Sequence, residues 1–261
     1  MANSHPVSTP FEPGLQLPKL NSEDIDNLTK DGFDKPYREA LGSLLYLMVA
    51  TRPDLGFAEG AVSQFNSAFG DIHWQAVKRI LRYIKGTTHF GLCLGGEGNK
   101  VVHQGYADAD WANDPATRRS VTGLLMTLGT GAFSWQSKKQ DLVTMSTTEA
   151  ECVALAAAVQ QVALHRRLLL ELGEQSIIGN PTAVYQDNQS CIAICNNNSA
   201  RAKTKFIDVR YFYVRDKIVN KTVHLVACST KDMRADIFTK ALPIVQFRKL
   251  RELLGVMALT M

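Results

Sequence analysis

Gly105-Tyr106-Ala107-Asp108-Ala109-Asp110-Trp111 follows Val101-Val102-His103-Gln104. The alternation Val102, Gln104, Tyr106 predicts a β-strand that becomes buried as it proceeds. Asp108 and Asp110 stand two residues apart near its end and therefore share one face. Such a pair either turns to solvent, as strand-end aspartates in turns commonly do, or sits over something cationic. Asn113-Asp114-Pro115, just beyond, suits the turn. Carboxylates farther along the chain bear on the choice.

The 261 residues suit one large or two modest domains, and 45% hydrophobic with 21% charged content is ordinary for a soluble chain with a full core. A net charge of +4 does not by itself demand a polyanionic partner. Cys93, Cys152, Cys191, Cys195 and Cys228 form no CxxC or Cys/His ligand spacing, and their number is odd. That favours reduced thiols over a disulfide frame. Cys191 and Cys195 are four apart, can share a helix face, and are read as packing. No apolar run reaches membrane-spanning length and the N-terminus lacks a signal-peptide core. The expectation is an intracellular protein, cytoplasmic or nuclear, neither secreted nor membrane-bound.

Residues 1–36 hold five of the nine prolines and no sustained apolar period, which predicts a flexible or extended lead-in. Residues 37–100 begin a helical segment. Leu41, Leu44, Leu45 and Met48 recur at helical spacing before Pro53; a second helix covers about 54–65 and a third runs from Asp71 to Gly86. In the third, Val77, Ile80, Leu81 and Ile84 form an apolar stripe opposite Lys78, Arg82 and Lys85. These cations have no acidic partner on the helix after Asp71, so they are candidates for phosphate contact as well as an ordinary solvated face.

Strands follow in residues 101–242: about 103–109, 120–128 and 132–136 as an antiparallel meander, with Asp141–Thr144 a possible extension of the edge. Ser146-Thr147-Thr148-Glu149 matches a capping box for a helix to about Leu172, ahead of Gly173. Glu151 lies four before Leu155 and eight before Val159, at the top of the buried stripe, where an acid is unusual without a partner. A strand at 182–186 ends in Asp187, which caps the helix after it. Residues 200–221 interleave cations, among them Lys203, Lys205 and Arg210, with Phe206, Tyr211, Phe212 and Tyr213, a nucleic-acid-binding composition. A strand at 222–226 precedes Asp236 on a short helix, and residues 243–261 supply a last helix and tail.

Asp108, Glu151, Asp187 and Asp236 thus each stand at an element boundary. Clustered carboxylates without histidine or cysteine suit hard, oxygen-preferring ions such as Mg²⁺, and two such ions clamp the attacking and leaving oxygens of a phosphoryl displacement.

The chain resembles the reverse-transcriptase connection and ribonuclease H region of copia-type LTR retrotransposon polyproteins. The motifs are Gly-Tyr-Ala-Asp-Ala-Asp-Trp-Ala (105–112), Ser-Trp-Gln-Ser-Lys-Lys-Gln (134–140), Ser-Thr-Thr-Glu-Ala-Glu (146–151), Asp-Asn-Gln-Ser (187–190), Lys-Thr-Lys-Phe-Ile-Asp-Val-Arg-Tyr (203–211) and Met-Arg-Ala-Asp-Ile-Phe-Thr-Lys (233–240). The resemblance implies an α/β (α+β) fold, a ribonuclease H-like five-stranded mixed sheet flanked by helices and preceded by a small helical unit. It also implies hydrolysis of the RNA strand of an RNA–DNA hybrid. Two Mg²⁺ ions, or Mn²⁺ in their place, would sit on Asp108, Glu151, Asp187 and Asp236, with Asp110 a neighbour. The reverse-transcriptase part of the same polyprotein is a further implied partner. Where the family often has histidine this chain has Phe206 and Phe212, so a weak or inactive nucleic-acid-binding remnant is the alternative. No YxDD motif occurs, and polymerase activity is not expected.

Overall fold

The computed structural model describes residues 1, 3–30, 33–95, 101–114, 116–178, 181–196 and 205–259, except the side chains of 29, 30 and 205–208. Helices come first: α1 (Ser22–Lys30), α2 (Tyr37–Ala50), a 3₁₀ turn at Pro53–Leu55, α3 (Gly56–Ser63) and α4 (Asp71–Gly86). Then follow β1 (Phe90–Leu92), β2 (His103–Asp110), β3 (Val121–Leu128), β4 (Gly131–Lys139), α5 (Thr147–Glu171), β5 (Thr182–Gln186), α6 (Gln189–Asn196), α7 (Lys205–Val219) and β6 (Val223–Ala227). A 3₁₀ turn at Arg234–Phe238, α8 (Ile244–Leu253) and β7 (Val256–Ala258) come last.

Five strands make the main sheet in the order β4-β3-β2-β5-β6. β2, β3 and β4 are antiparallel neighbours, because short connections can only return the chain beside itself. Gly129, at φ +64°, lies between β3 and β4. β5 runs parallel to β2, and β6 parallel to β5, so each needs a crossover. α5 supplies the first; α6 and α7 supply the second. The sheet is therefore mixed and flanked by helices, as the sequence led us to expect.

α5 starts where Ser146 Oγ accepts the Glu149 N–H at 3.2 Å. Glu149 returns its carboxylate to the Met145 N–H at 2.6 Å, one residue before the N-cap. Its buried side includes Cys152, Leu155, Val159 and Val162 and packs on Ala107, Leu124, Met126 and Val184 of the sheet. The opposite sheet face, with Tyr106 and Leu125, joins Tyr37, Leu44, Leu55, Ile80, Phe238 and Leu254 in a second core. Each of these aliphatic side chains contributes about 1.5–3 kcal/mol by burial. Trp135 Nε1 donates to Met48 O at 3.1 Å, and Ser137 Oγ to Phe238 O at 2.6 Å. The helical unit before the sheet is thus its second layer.

Two expectations differ from the structure. Asp141–Thr144 adds no strand; the chain leaves β4 at Gln140, whose Nε2 donates to Thr122 Oγ1 and Ala150 O, each at 3.0 Å. The lead-in lies along α4: His73 Nε2 is 2.9 Å from Pro18 O, and Phe11 is buried edge-to-face on Phe57 with ring centroids 5.5 Å apart. Within it Ser22–Lys30 is helical, while Val7, Phe11, Leu15 and Leu17 reach the core at irregular intervals and leave no apolar period to read. The chain also closes with a two-stranded ribbon, β1 antiparallel to β7, which the sequence reading did not foresee.

Candidate metal centre and nucleic-acid interface

Each candidate acid arrives on a different element: Asp108 near the end of β2, Glu151 in the first turns of α5, Asp187 just after β5, and Asp236 within the 3₁₀ turn. Asp108, Asp187 and Asp236 each offer a carboxylate oxygen within 4.8 Å of the others. Glu151 is buried against the same group. Its Oε2 accepts from Gln186 Nε2 at 3.2 Å, and the Ala109 N–H also donates to it. Burial, then the charges of Asp108 and Asp187, push the Glu151 carboxyl up to about 9. Burial, then Asp108, raise Asp236 to about 7 against the pull of Lys240. The structure therefore brings three of the four acids named from the sequence into one group, with Glu151 beside them, near enough for Asp108 and Asp187 to act on its charge.

Neighbours hold these carboxylates in place. Gln186 is fully buried; besides its bond to Glu151, its Oε1 accepts the Asp187 and Asn188 N–H groups at 2.8 and 2.9 Å. Thr239 Oγ1 donates to Asp108 Oδ2. Thr230 Oγ1 donates to Asp187 Oδ2 at 2.9 Å. Asn188 Oδ1, not Asp187, accepts the Cys191 N–H at 2.9 Å and so caps α6. The expected capping role of Asp187 is corrected, and its carboxylate is left for the cluster. Asp110 lies outside the three-oxygen group and accepts the Val121 N–H at 2.5 Å. Burial holds its carboxyl at about 6.

Gly123 pairs with Asp108 across β2 and β3. A Cβ at that position would lie 2.7 Å from Ala235 O and 2.7 Å from Thr239 Cγ2. Only glycine lets the turn that carries Asp236 rest directly on the sheet beside Asp108. Lys240 enters the cluster from the same turn, with Nζ 3.0 Å from Asp236 Oδ1 and 4.0 Å from Asp108 Oδ2. Burial opposes its charge, but Asp108 and Asp236 outweigh that and hold its pKa above the usual ammonium range. One lysine among four acids leaves an excess of negative charge. The donors are all oxygens, a set that fits hard divalent ions.

The basic residues are not gathered in the same way. Arg82 Nε donates to His5 O at 2.6 Å and Lys85 Nζ to Ser4 O at 2.9 Å, so both engage the lead-in. Lys78 and Arg210 are half-buried on α4 and α7, which cover opposite faces of the sheet. Lys203 and the side chains of Lys205 and Phe206 lie outside the described residues, whereas Phe212 is exposed. Sequence reasoning missed Gln186, Thr230, Thr239 and Lys240 as supports of the acids. It also missed Trp111, whose exposed ring is fixed by Nε1–H donating to Thr144 O at 3.2 Å.

A five-stranded mixed sheet of this order and direction, flanked by helices, is the ribonuclease H-like fold. The chain is 42% identical, over 98% of its length, to the retrovirus-related Pol polyprotein from transposon TNT 1-94 of Nicotiana tabacum. It is 36% identical, again over 98%, to that from transposon RE2 of Arabidopsis thaliana. The chain is thus similar along nearly its whole length to part of these retrovirus-related Pol polyproteins, and spans 19% and 17% of the length of these two relatives. No protein-family model matches the chain. Among solved structures, LC11-RNase H1 isolated from compost is similar at TM-score 0.40 and 16% identity, over 54% of this chain and 94% of that one. No helix among the described residues is long and apolar enough to cross a membrane.

Proposed function

We propose that this segment is a metal-dependent ribonuclease H that hydrolyses the RNA strand of RNA–DNA hybrids. The observation that carries the reading is the convergence of Asp108, Asp187 and Asp236 from three separate elements onto one small volume, with Glu151 of a fourth element beside them. Those four residues would hold two Mg²⁺ ions, or Mn²⁺ in their place. Bound there, the metal supplies Lewis acidity, making water a better nucleophile and offsetting charge on the phosphate. The chain's own part is placement. Gln186 fixes Glu151 relative to Asp187, while Thr239 and Thr230 aim Asp108 and Asp187 through hydroxyl donors. Trp111, three residues beyond Asp108 in the chain, offers an exposed, flat apolar ring. Selectivity for a hybrid would come from backbone geometry and 2′-hydroxyl contacts, not base sequence. Within a longer polyprotein, the reverse-transcriptase part would supply the substrate.

A second reading, a binding remnant without turnover, is favoured by the phenylalanines at 206 and 212. Incubation of purified protein with a labelled hybrid and Mg²⁺ or Mn²⁺, beside Asp187→Asn, separates the two. Metal-dependent cutting of the RNA strand alone, lost in the variant, supports the enzyme. Hybrid binding that ignores both metal and substitution, with no cutting, leaves the remnant.

A further inference from the structure

Cys152 lies on α5 and Cys191 and Cys195 on α6, 39 and 43 positions farther along the chain. The fold nevertheless aims all three sulfurs at one point. Their Sγ atoms lie within 4.8 Å of one another, Cys152 Sγ is 3.2 Å from Cys191 Sγ, and all three residues are buried. Cys191 and Cys195 are one helical turn apart, so they present a pair of sulfurs to the single sulfur from α5. Packing alone does not require this. A buried cysteine used as a small apolar side chain faces carbon neighbours, at about 3.5–4.0 Å between non-bonded heavy atoms. Here the sulfurs face each other, and two of them stand closer than that.

From this geometry we infer that Cys152, Cys191 and Cys195 form a three-thiolate site for a soft, thiol-seeking ion of the copper(I) class. The donor set selects the ion. Three sulfurs with no histidine or carboxylate among them exclude hard cations, which need oxygen. A closed zinc site calls for four ligands in a tetrahedron, and this group offers three. Copper(I) accepts thiolate ligands at low coordination number. Each sulfur that binds gives its proton to solvent, and no oxidant or reductant is consumed. The site has a structural consequence as well. Cys152 follows Glu151 directly, and the Cys191 N–H is the group that Asn188 caps, one residue after Asp187. An ion at the three sulfurs ties the start of α6 to α5 and so fixes the elements that carry two of the acids. This site is separate from the oxygen cluster, and its test does not depend on nuclease activity.

The test is anaerobic titration of the full chain with copper(I) in competition with a copper(I) chelator, followed by X-ray absorption on the loaded protein. The site predicts one ion held per chain with three sulfur neighbours. Cys93→Ser and Cys228→Ser should leave the affinity unchanged, whereas Cys191→Ala should weaken it by at least tenfold. The absorption measurement uses unsubstituted protein, so it decides the matter even if Cys191→Ala does not fold. Binding that follows Cys93 or Cys228, an absorption spectrum showing oxygen or nitrogen neighbours, or no ion retained against the chelator would each overturn the inference. So would a Cys152–Cys191 disulfide that forms in air and leaves the reduced protein unable to hold copper(I).

Discussion

Lys240 Nζ stands 3.0 Å from Asp236 Oδ1, so the acid cluster already holds a cation of the chain's own. At this separation, in a site of effective dielectric near 20, a unit charge pair is worth about 5–6 kcal/mol before solvent screening. The lysine side chain is 38% exposed, which reduces the usable part to about 1 kcal/mol. Lys240→Met should therefore lower the melting temperature of the metal-free protein and raise its Mg²⁺ affinity by about three- to tenfold. Isothermal titration with Mg²⁺ measures the second effect. Unchanged or weaker Mg²⁺ binding would mean that Lys240 does not compete for the site.

Gly123→Ala tests the contact between sheet and turn. The new methyl would meet Ala235 O and Thr239 Cγ2 at 2.7 Å, so the turn must lift and take Asp236 and Thr239 away from Asp108. Overpacking of this kind costs about 1–3 kcal/mol. The expected result is a folded protein, destabilised by that amount in urea, with cleavage reduced at least tenfold. Wild-type cleavage by the variant would show that the turn has room to spare.

Trp111 is held by its indole N–H and presents nearly half its surface to solvent. Side-chain stacking on a base is worth about 1–3 kcal/mol. Trp111→Ala should raise KM for the hybrid by about tenfold while kcat changes little. A loss confined to kcat would place the ring in support of the acids instead of substrate binding.

His103 predicts an acid-sensitive core. Its ring is buried beside Phe133 and His165, and neither ring nitrogen has a hydrogen-bond partner. Burial, then His165 and Arg166, lower its pKa to about 4. The folded state thus binds fewer protons than the unfolded state between pH 6.5 and 4. Stability is complete above the unfolded value and is lost as pH falls through the folded one, by about 3 kcal/mol. Glu151 and Asp236, raised in the fold, act with the opposite sign across this same range and above it. Urea melts of His103→Phe and the parent, compared at pH 7 and pH 4.5, isolate the histidine. Parallel pH dependence in the two proteins would discard this explanation.

Asp108, Glu151 and Asp187 were legible because each lies near an end of a patterned element, whereas Asp236, inside a five-residue turn, was read from the motif around it. The strand around Asp108 alternates, and the capping box at Ser146 places Glu151 in the first turns of α5. What supports the acids was less visible. Gln186 and Thr239 act through contacts to residues 35 and 131 positions away, which local pattern does not encode. Asp187 reads as a helix cap as readily as Asn188 does, and only the hydrogen bond to Cys191 decides between them. The cations of α4 look free in sequence because the carbonyls they bind, Ser4 O and His5 O, belong to a segment with no period of its own. Cys191 and Cys195 read as packing in sequence because their convergence with Cys152 depends on how α6 lies on α5.

The layer formed by α2, α3 and α4 contributes none of the four acids, yet it closes the sheet face on which Tyr106 and Leu125 lie. A piece beginning at His103 would keep every carboxylate and expose that face to water. In a lineage that duplicates or loses segments, the unit that can be inherited and still fold is therefore larger than the unit that carries the chemistry. Substitutions at Leu44, Leu55 or Ile80 would weaken the sheet that positions the acids without touching any of them.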